Sequence, residues 1–237
     1  MKKDNETMKK NLALSRLLVG LLLTVLVYFV AMFVGHRWHL NCTFLSDSVL
    51  GHATMLALSI VLILVFKKQV NYHIAVPKFK QILKPISLGF LCAVVINVVL
   101  SIITRIISGS VQNHPLLENT TLLKNFLSVF ILASVAEEFL FRGFLQNYLK
   151  PFSDKGFKLF RQWISLPVLV SAVTFSLAHL ILLVSGVEAL FMIRMLVFTF
   201  ALGLIAGYYQ EKYDNHAFAI IVHMAGNLMG LVSILMM

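Results

Sequence analysis

Residues 126–149 read FLSVFILASVAEEFLFRGFLQNYL. The run exceeds the roughly 20 apolar residues needed to cross a bilayer core, yet Glu137, Glu138 and Arg142 sit near its middle. Charge inside a spanning helix is costly, so this pattern predicts a helix bundle whose polar groups face neighbouring helices rather than lipid. The rest of the chain fits that reading: 59% of its 237 residues are hydrophobic and 13% are charged, with a mean hydropathy of +0.88. Soluble domains run nearer half apolar and a quarter charged. Roughly 140 apolar residues supply about seven spans. This composition excludes a disordered chain, a nucleic-acid-binding domain and a disulfide-stapled secreted module.

Seven apolar runs predict an all-α, polytopic transmembrane bundle: Leu17 to Val34, Val49 to Phe66, Ile86 to Ile107, Phe126 to Leu149, Ile164 to Val184, Leu190 to Tyr209 and Ala217 to Met237. The link Ser185 to Ala189 is short enough to force an antiparallel hairpin. Residues 1–237 read as a single integral-membrane domain without internal repeats. The longest outer segment, Ser108 to Leu123, contains Asn113, His114, Pro115, Asn119 and Thr120 and no motif. Lys2, Lys3, Lys9, Lys10 and Arg16 ahead of the first run resemble the start of a signal peptide. The apolar stretch is too long for one, no small-x-small cleavage site follows, and six more spans come after.

The net charge of +10 is distributed one-sidedly. Five Lys and Arg precede the first span and only Arg37 follows it, whereas Lys67, Lys68, Lys78, Lys80 and Lys84 lie between the second and third. After the third come only Arg105 and Lys124; Lys150, Lys155, Lys158 and Arg161 follow the fourth, and Lys212 the sixth. The positive-inside rule then predicts a multi-pass protein of the cell membrane with a cytoplasmic N-terminus. Trp163, Tyr148, Tyr208 and Tyr209 are expected at cytoplasmic interfaces, where amphipathic rings settle. Cys42 and Cys92 form no CxxC pair and are expected to be free.

Glu138 and Arg142 are an i, i+4 pair with the acid first, the favourable order on a helix. Glu137 is turned about 100° from Glu138. One carboxylate can therefore be held by Arg142 while the other faces a cavity as a general base. A buried ion pair accounts for Glu138 and Arg142; one arginine does not need two acids, so Glu137 is the surplus group. His179 in the fifth span, and His223 with Asn227 one turn apart in the seventh, are the other polar residues set among aliphatic ones. In the sixth span Gly203 and Gly207 form a GxxxG step that lets another backbone approach, with Phe200 beside it. Arg194, nearer the outer end, is expected to snorkel outward or to pair with Glu188.

Four patterns follow in order: Glu137-Glu138-x-x-x-Arg142, Phe175-x-x-x-His179, Phe200-x-x-Gly203-x-x-x-Gly207 and His223-x-x-x-Asn227. Together, within residues 126–228, they resemble the CAAX protease and bacteriocin-processing family of intramembrane proteases (Abi, or CPBP). The resemblance implies a helical bundle with its site inside the membrane and an endopeptidase acting on membrane-associated peptide or protein substrates. It further implies that Glu137 and His179 activate a water while His223 and Asn227 stabilise the oxyanion, with Glu138 and Arg142 in support.

The same residues suggest a competing metalloprotease reading, in which Glu137, His179 and His223 bind zinc with a water in the open position. The sequence has no His-Glu-x-x-His helix, and metal-independent water activation is the favoured expectation. Two other functions remain in view: a non-catalytic bacteriocin self-immunity protein of the same fold, and a proton-conducting transporter. The absence of repeats and of paired broken helices weighs against the transporter.

Overall fold

The computed structural model describes residues 2–38, 40, 42, 44–112 and 120–235. Asn113, His114, Pro115 and Asn119 lie outside the described residues. The helices are α1 (Lys2–Arg37), α2 (Val49–Val65), α3 (Phe79–Ser108), α4 (Leu122–Asn125), α5 (Ser134–Glu138), α6 (Leu166–Ala178), α7 (Ala189–Tyr213) and α8 (Ala217–Leu235). π-helical turns at Phe126–Ala133 and Phe139–Gln146 join α4 and α5 into one rod, residues 122–146. α6 continues as a 3₁₀ helix over His179–Ser185. The rods coincide with the seven expected runs, and the protein is an all-α bundle of membrane type. Four helical segments are by themselves long and apolar enough to cross a bilayer, while α2 and α8 are shorter. Seven is therefore an approximate span count.

The burial pattern is that of a membrane bundle. Leu22, Phe29, Leu64, Val65 and Ile106 are all more than half exposed, whereas Arg142 and Glu138 are almost fully buried. Lipid-facing aliphatics give no drive for helices to associate with one another, so close packing and inter-helix hydrogen bonds must hold the bundle. α3 packs on α7 and α8, α6 on α7, and α1 on α2. Val27, Ala31, Met55, Leu140, Phe141 and Phe175 form one core around the charged rod. A second joins Phe191, Phe198, Leu202, Phe218 and Val222.

Three local features depart from the sequence reading. The expected fifth span begins at Ile164, but Ile164 and Ser165 belong to an antiparallel hairpin, β1 (Gly156–Leu159) and β2 (Gln162–Ser165). Its two-residue loop, Phe160 and Arg161, has positive φ at both positions, the backbone that matches the twist of paired strands. Neither residue is a glycine or asparagine, so the usual turn signal is missing. α6 starts where Ser165 caps it: its hydroxyl accepts from the Val168 N–H at 3.3 Å and donates to Glu211 at 2.6 Å.

α3 begins at Phe79, ahead of the expected Ile86, and runs through Pro85. Tyr148 and Tyr209, expected at an interface, are buried in the core, while Trp163 is exposed. Tyr148 stacks on Phe144 and Tyr209 on Tyr213. Ring packing thus outweighs interfacial anchoring for both tyrosines. Cys42 and Cys92 are free, as expected.

The ends of the bundle are sorted by charge. Arg16 donates to the Tyr148 carbonyl at 2.7 Å and to that of Gln69 at 3.0 Å. The basic segments around 16, 67–69 and 148–150 therefore meet at one end. The opposite end gathers residues 46–48, 109–112 and 185–189, with Ser46 N–H bonded to Ser128 and Glu188 N–H to Gln112.

Candidate active site

The two adjacent glutamates have separate surroundings. Glu138 Oε1 receives hydrogen bonds from Arg142 Nη1 at 2.9 Å and from His223 Nδ1 at 2.7 Å. Its side chain is 1% exposed and that of Arg142 is 0% exposed. The Arg142 guanidinium also lies 4.5 Å over the Phe175 ring. Glu137 points the other way. Its side chain is 17% exposed, with Oε1 3.5 Å from His52 Nε2 and Oε2 3.7 Å from His223 Nε2.

Irregular helix geometry makes this division possible. After Glu138 the rod widens into π-helical turns, which leave carbonyls for other partners. The Ser171 hydroxyl donates to the Phe141 carbonyl at 2.9 Å, Gln210 to that of Arg142 at 3.0 Å, and Asn147 to that of Gly143 at 3.1 Å. Gly203 and Gly207 supply the room on α7. A Cβ at Gly203 would lie 2.6 Å from Arg142 Nη2, and one at Gly207 2.7 Å from Gln146 Oε1. The GxxxG step thus seats the buried arginine and glutamine of the charged rod as well as a neighbouring helix.

Beneath the ion pair, toward the basic end, lies a buried polar layer. Gln146 donates to the Gly207 carbonyl at 2.9 Å, and His216 Nδ1 donates to Gln210 Oε1 at 2.7 Å. His216 lies in the link before α8, against Phe139 and Tyr72. Burial pushes its pKa down to about 3, with the Arg142 charge acting in the same direction, and the ring stays neutral.

Phe175 organises the remaining groups. Its ring meets His179 edge-on at 5.0 Å and His223 at 5.4 Å. His179 sits where α6 tightens into the 3₁₀ helix, and its Nδ1 donates to the Phe175 carbonyl at 2.9 Å. In the neutral ring this leaves Nε2 as an acceptor. The Tyr28 hydroxyl fastens the adjacent Ala178 carbonyl at 2.7 Å. Asn227 donates from Nδ2 to the Ser134 hydroxyl at 3.0 Å, which keeps the amide one turn from His223 on α8.

Glu137, His179, His223 and Asn227 all line a cavity of about 330 Å³. Glu138 and Arg142 stand behind its wall. His52, also on the wall and 8% exposed, was missed from the sequence. It lies in the second apolar run, and the argument that a histidine inside a span is expensive applies to it as fully as to His179.

Arg194 does not pair with Glu188. It donates to the Ser101 hydroxyl and to the Gln112 carbonyl, each at 2.7 Å, and it too lines the cavity. The zinc set is not assembled: among the described residues no three His, Cys, Asp or Glu side chains stand close enough to hold one metal ion. With His179 Nδ1 on a carbonyl and His223 Nδ1 on Glu138, we derive no step through a metal.

Residues 119–229 match the family model described as type II CAAX prenyl endopeptidase Rce1-like. The chain shows no significant similarity to any curated protein or to any solved structure. Over residues 119–229, which hold Glu137, His179, His223 and Asn227 but not His52, this chain carries the Rce1-like region of the CAAX endopeptidase family that its motifs resemble.

Proposed function

We propose that the protein is an intramembrane endopeptidase that hydrolyses peptide bonds of membrane-associated peptides or proteins. The observation that carries this reading is the unequal treatment of the two glutamates. Glu138 is spent on Arg142 and His223, while Glu137 faces a cavity with a histidine near each oxygen. A purely structural ion pair has no use for the second acid.

In this reading a water lies between Glu137 and the acceptor Nε2 of His179. Glu137 takes a proton from it as the oxygen attacks the substrate carbonyl, and later gives that proton to the departing amine. His223 has Nδ1 committed to Glu138, so its imidazolium form is the one that presents an N–H at Nε2. That donor and an N–H of Asn227 meet the charge developing on the carbonyl oxygen. The reading also draws on the endopeptidase description of the matched family. No feature of the site favours the self-immunity alternative.

The test is comparative peptidomics of cells carrying the wild type or Glu137→Gln, followed by cleavage of the differing peptides with purified protein in lipid discs. Wild-type protein cuts them, Glu137→Gln does not, and activity persists after metal stripping and chelation. Equal cutting by wild type and Glu137→Gln overturns the reading.

A further inference from the structure

Arg194 has no part in the chemistry above, yet it is held at the cavity wall. Its side chain is 8% exposed, and Nε is buried with no hydrogen-bond partner. Nη1 and Nη2 donate to Ser101 and to the Gln112 carbonyl. Both partners are neutral, so the full positive charge stands without a counter-ion among these contacts. Burying a guanidinium in this way is costly unless an anion compensates it for part of the working cycle.

Position separates this charge from the catalytic one. Arg142 lies against Gly203 on α7, and Arg194 is nine residues nearer the end that lacks the basic loops, a rise of about 13 Å. Glu137 is displaced from Arg142 toward that same end by about 7 Å. Roughly 6 Å along the bundle axis therefore separates Arg194 from the carboxylate proposed to activate water. The cavity wall nearby is apolar: Phe191, Met195, Phe198 and Leu202. The result is a greasy slot with a carboxylate and histidines at one end and a cation at the other.

We propose that Arg194 is a specificity residue that binds the C-terminal carboxylate of the peptide substrate, with the apolar side chains preceding it packed against Phe191 and Phe198. The planar guanidinium fork suits a carboxylate, and a desolvated pairing of this kind discriminates strongly. The site explains why an arginine, rather than a neutral residue, ties α7 to α3. This inference rests on the peptidase reading for the identity of its ligand.

The experiment uses lipidated apolar peptides with a fluorophore–quencher pair, each made as the C-terminal acid and as the amide, with the full-length protein in phosphatidylcholine discs. Wild type cleaves the acid with kcat/KM about tenfold above the amide. In Arg194→Gln that ratio collapses toward one through a rise in KM for the acid alone, and Arg194→Lys recovers part of it. An equal response to acid and amide in wild type overturns the proposal, as does a preference that survives Arg194→Gln. Binding of both forms to Glu137→Gln separates this inference from the peptidase reading. If wild type cuts nothing but Glu137→Gln binds the acid preferentially, the subsite stands and the proteolysis reading falls; equal or absent binding overturns the subsite. Phosphatidylglycerol in the discs leaves the acid preference intact; its loss assigns the cation to a lipid phosphate and also overturns the proposal.

Discussion

Replacing Glu137 and Glu138 separately by glutamine is the same chemical change at adjacent positions, and the structure predicts opposite outcomes. Glu138 is 1% exposed and neutralises a fully buried Arg142 at 2.9 Å while accepting from His223 at 2.7 Å. Glutamine keeps the shape but removes the charge, leaving the guanidinium uncompensated, a loss of about 3–5 kcal/mol. That is on the order of a hundred- to several-thousand-fold in the folding equilibrium. Glu137 has its nearest cationic or histidine nitrogens at 3.5 and 3.7 Å and is 17% exposed. Its glutamine variant should cost no more than about 1 kcal/mol, while removal of the general base lowers kcat by about 10²–10⁴-fold.

Unfolding titrations in SDS-containing mixed micelles measure the first quantity, and peptide cleavage in lipid discs the second. Replacing Glu138 by Leu together with Arg142 by Met removes both charges at once. The pair should regain part of the stability lost in Glu138→Gln without regaining activity, because His223 still lacks its partner. The reasoning fails if Glu137→Gln destabilises as much as Glu138→Gln, or if Glu138→Gln is as stable as wild type.

Gly203→Ala drives a Cβ to 2.6 Å from Arg142 Nη2; the overpacking costs about 1–3 kcal/mol, and activity falls with it because the Arg142–Glu138–His223 chain shifts. Gly207→Ala meets only Gln146 and Val168, so SDS titration should show a similar stability loss with most of the cleavage rate retained. His52→Gln lowers kcat about tenfold or more with KM and unfolding nearly unchanged; an unaltered kcat removes His52 from the site. His216 is neutral when folded, with a pKa near 3, against about 6.5 when unfolded. It contributes nothing to the pH dependence above about pH 6.5. Below that value the unfolded chain binds a proton that the folded chain refuses, so stability falls with pH by up to about 1.4 kcal/mol per unit until pH 3. His216→Gln flattens that slope in titrations at pH 7, 6 and 5, and an unchanged slope refutes the assignment.

Much of the architecture was legible because lipid imposes a simple requirement: an apolar run of spanning length must be a helix that satisfies its own backbone. The seven runs therefore located the rods even where their ends moved. The same requirement made Glu137, Glu138, Arg142, His179, His223 and Asn227 conspicuous, since polar atoms among aliphatic ones need partners. Composition and spacing also foresaw the Glu138–Arg142 pair, which is a property of one helix and its period.

What the sequence by itself could not determine is everything that depends on two rods meeting. Which histidine faces which glutamate oxygen follows from the rotation of α2 and α8 against residues 122–146, set by packing around Phe175. His52 joins the site only because α2 lies beside α5, a contact with no trace in a linear pattern. The π-helical turns after Glu138 exist because Ser171, Gln210 and Asn147 take up the carbonyls they leave, and those donors come from three places in the chain. Arg194 reads as a snorkelling residue until Ser101 and Gln112 are seen to hold it against the cavity. Helix formation in a membrane is local and readable from residue order; the direction of each polar atom is decided only when neighbouring helices close around it.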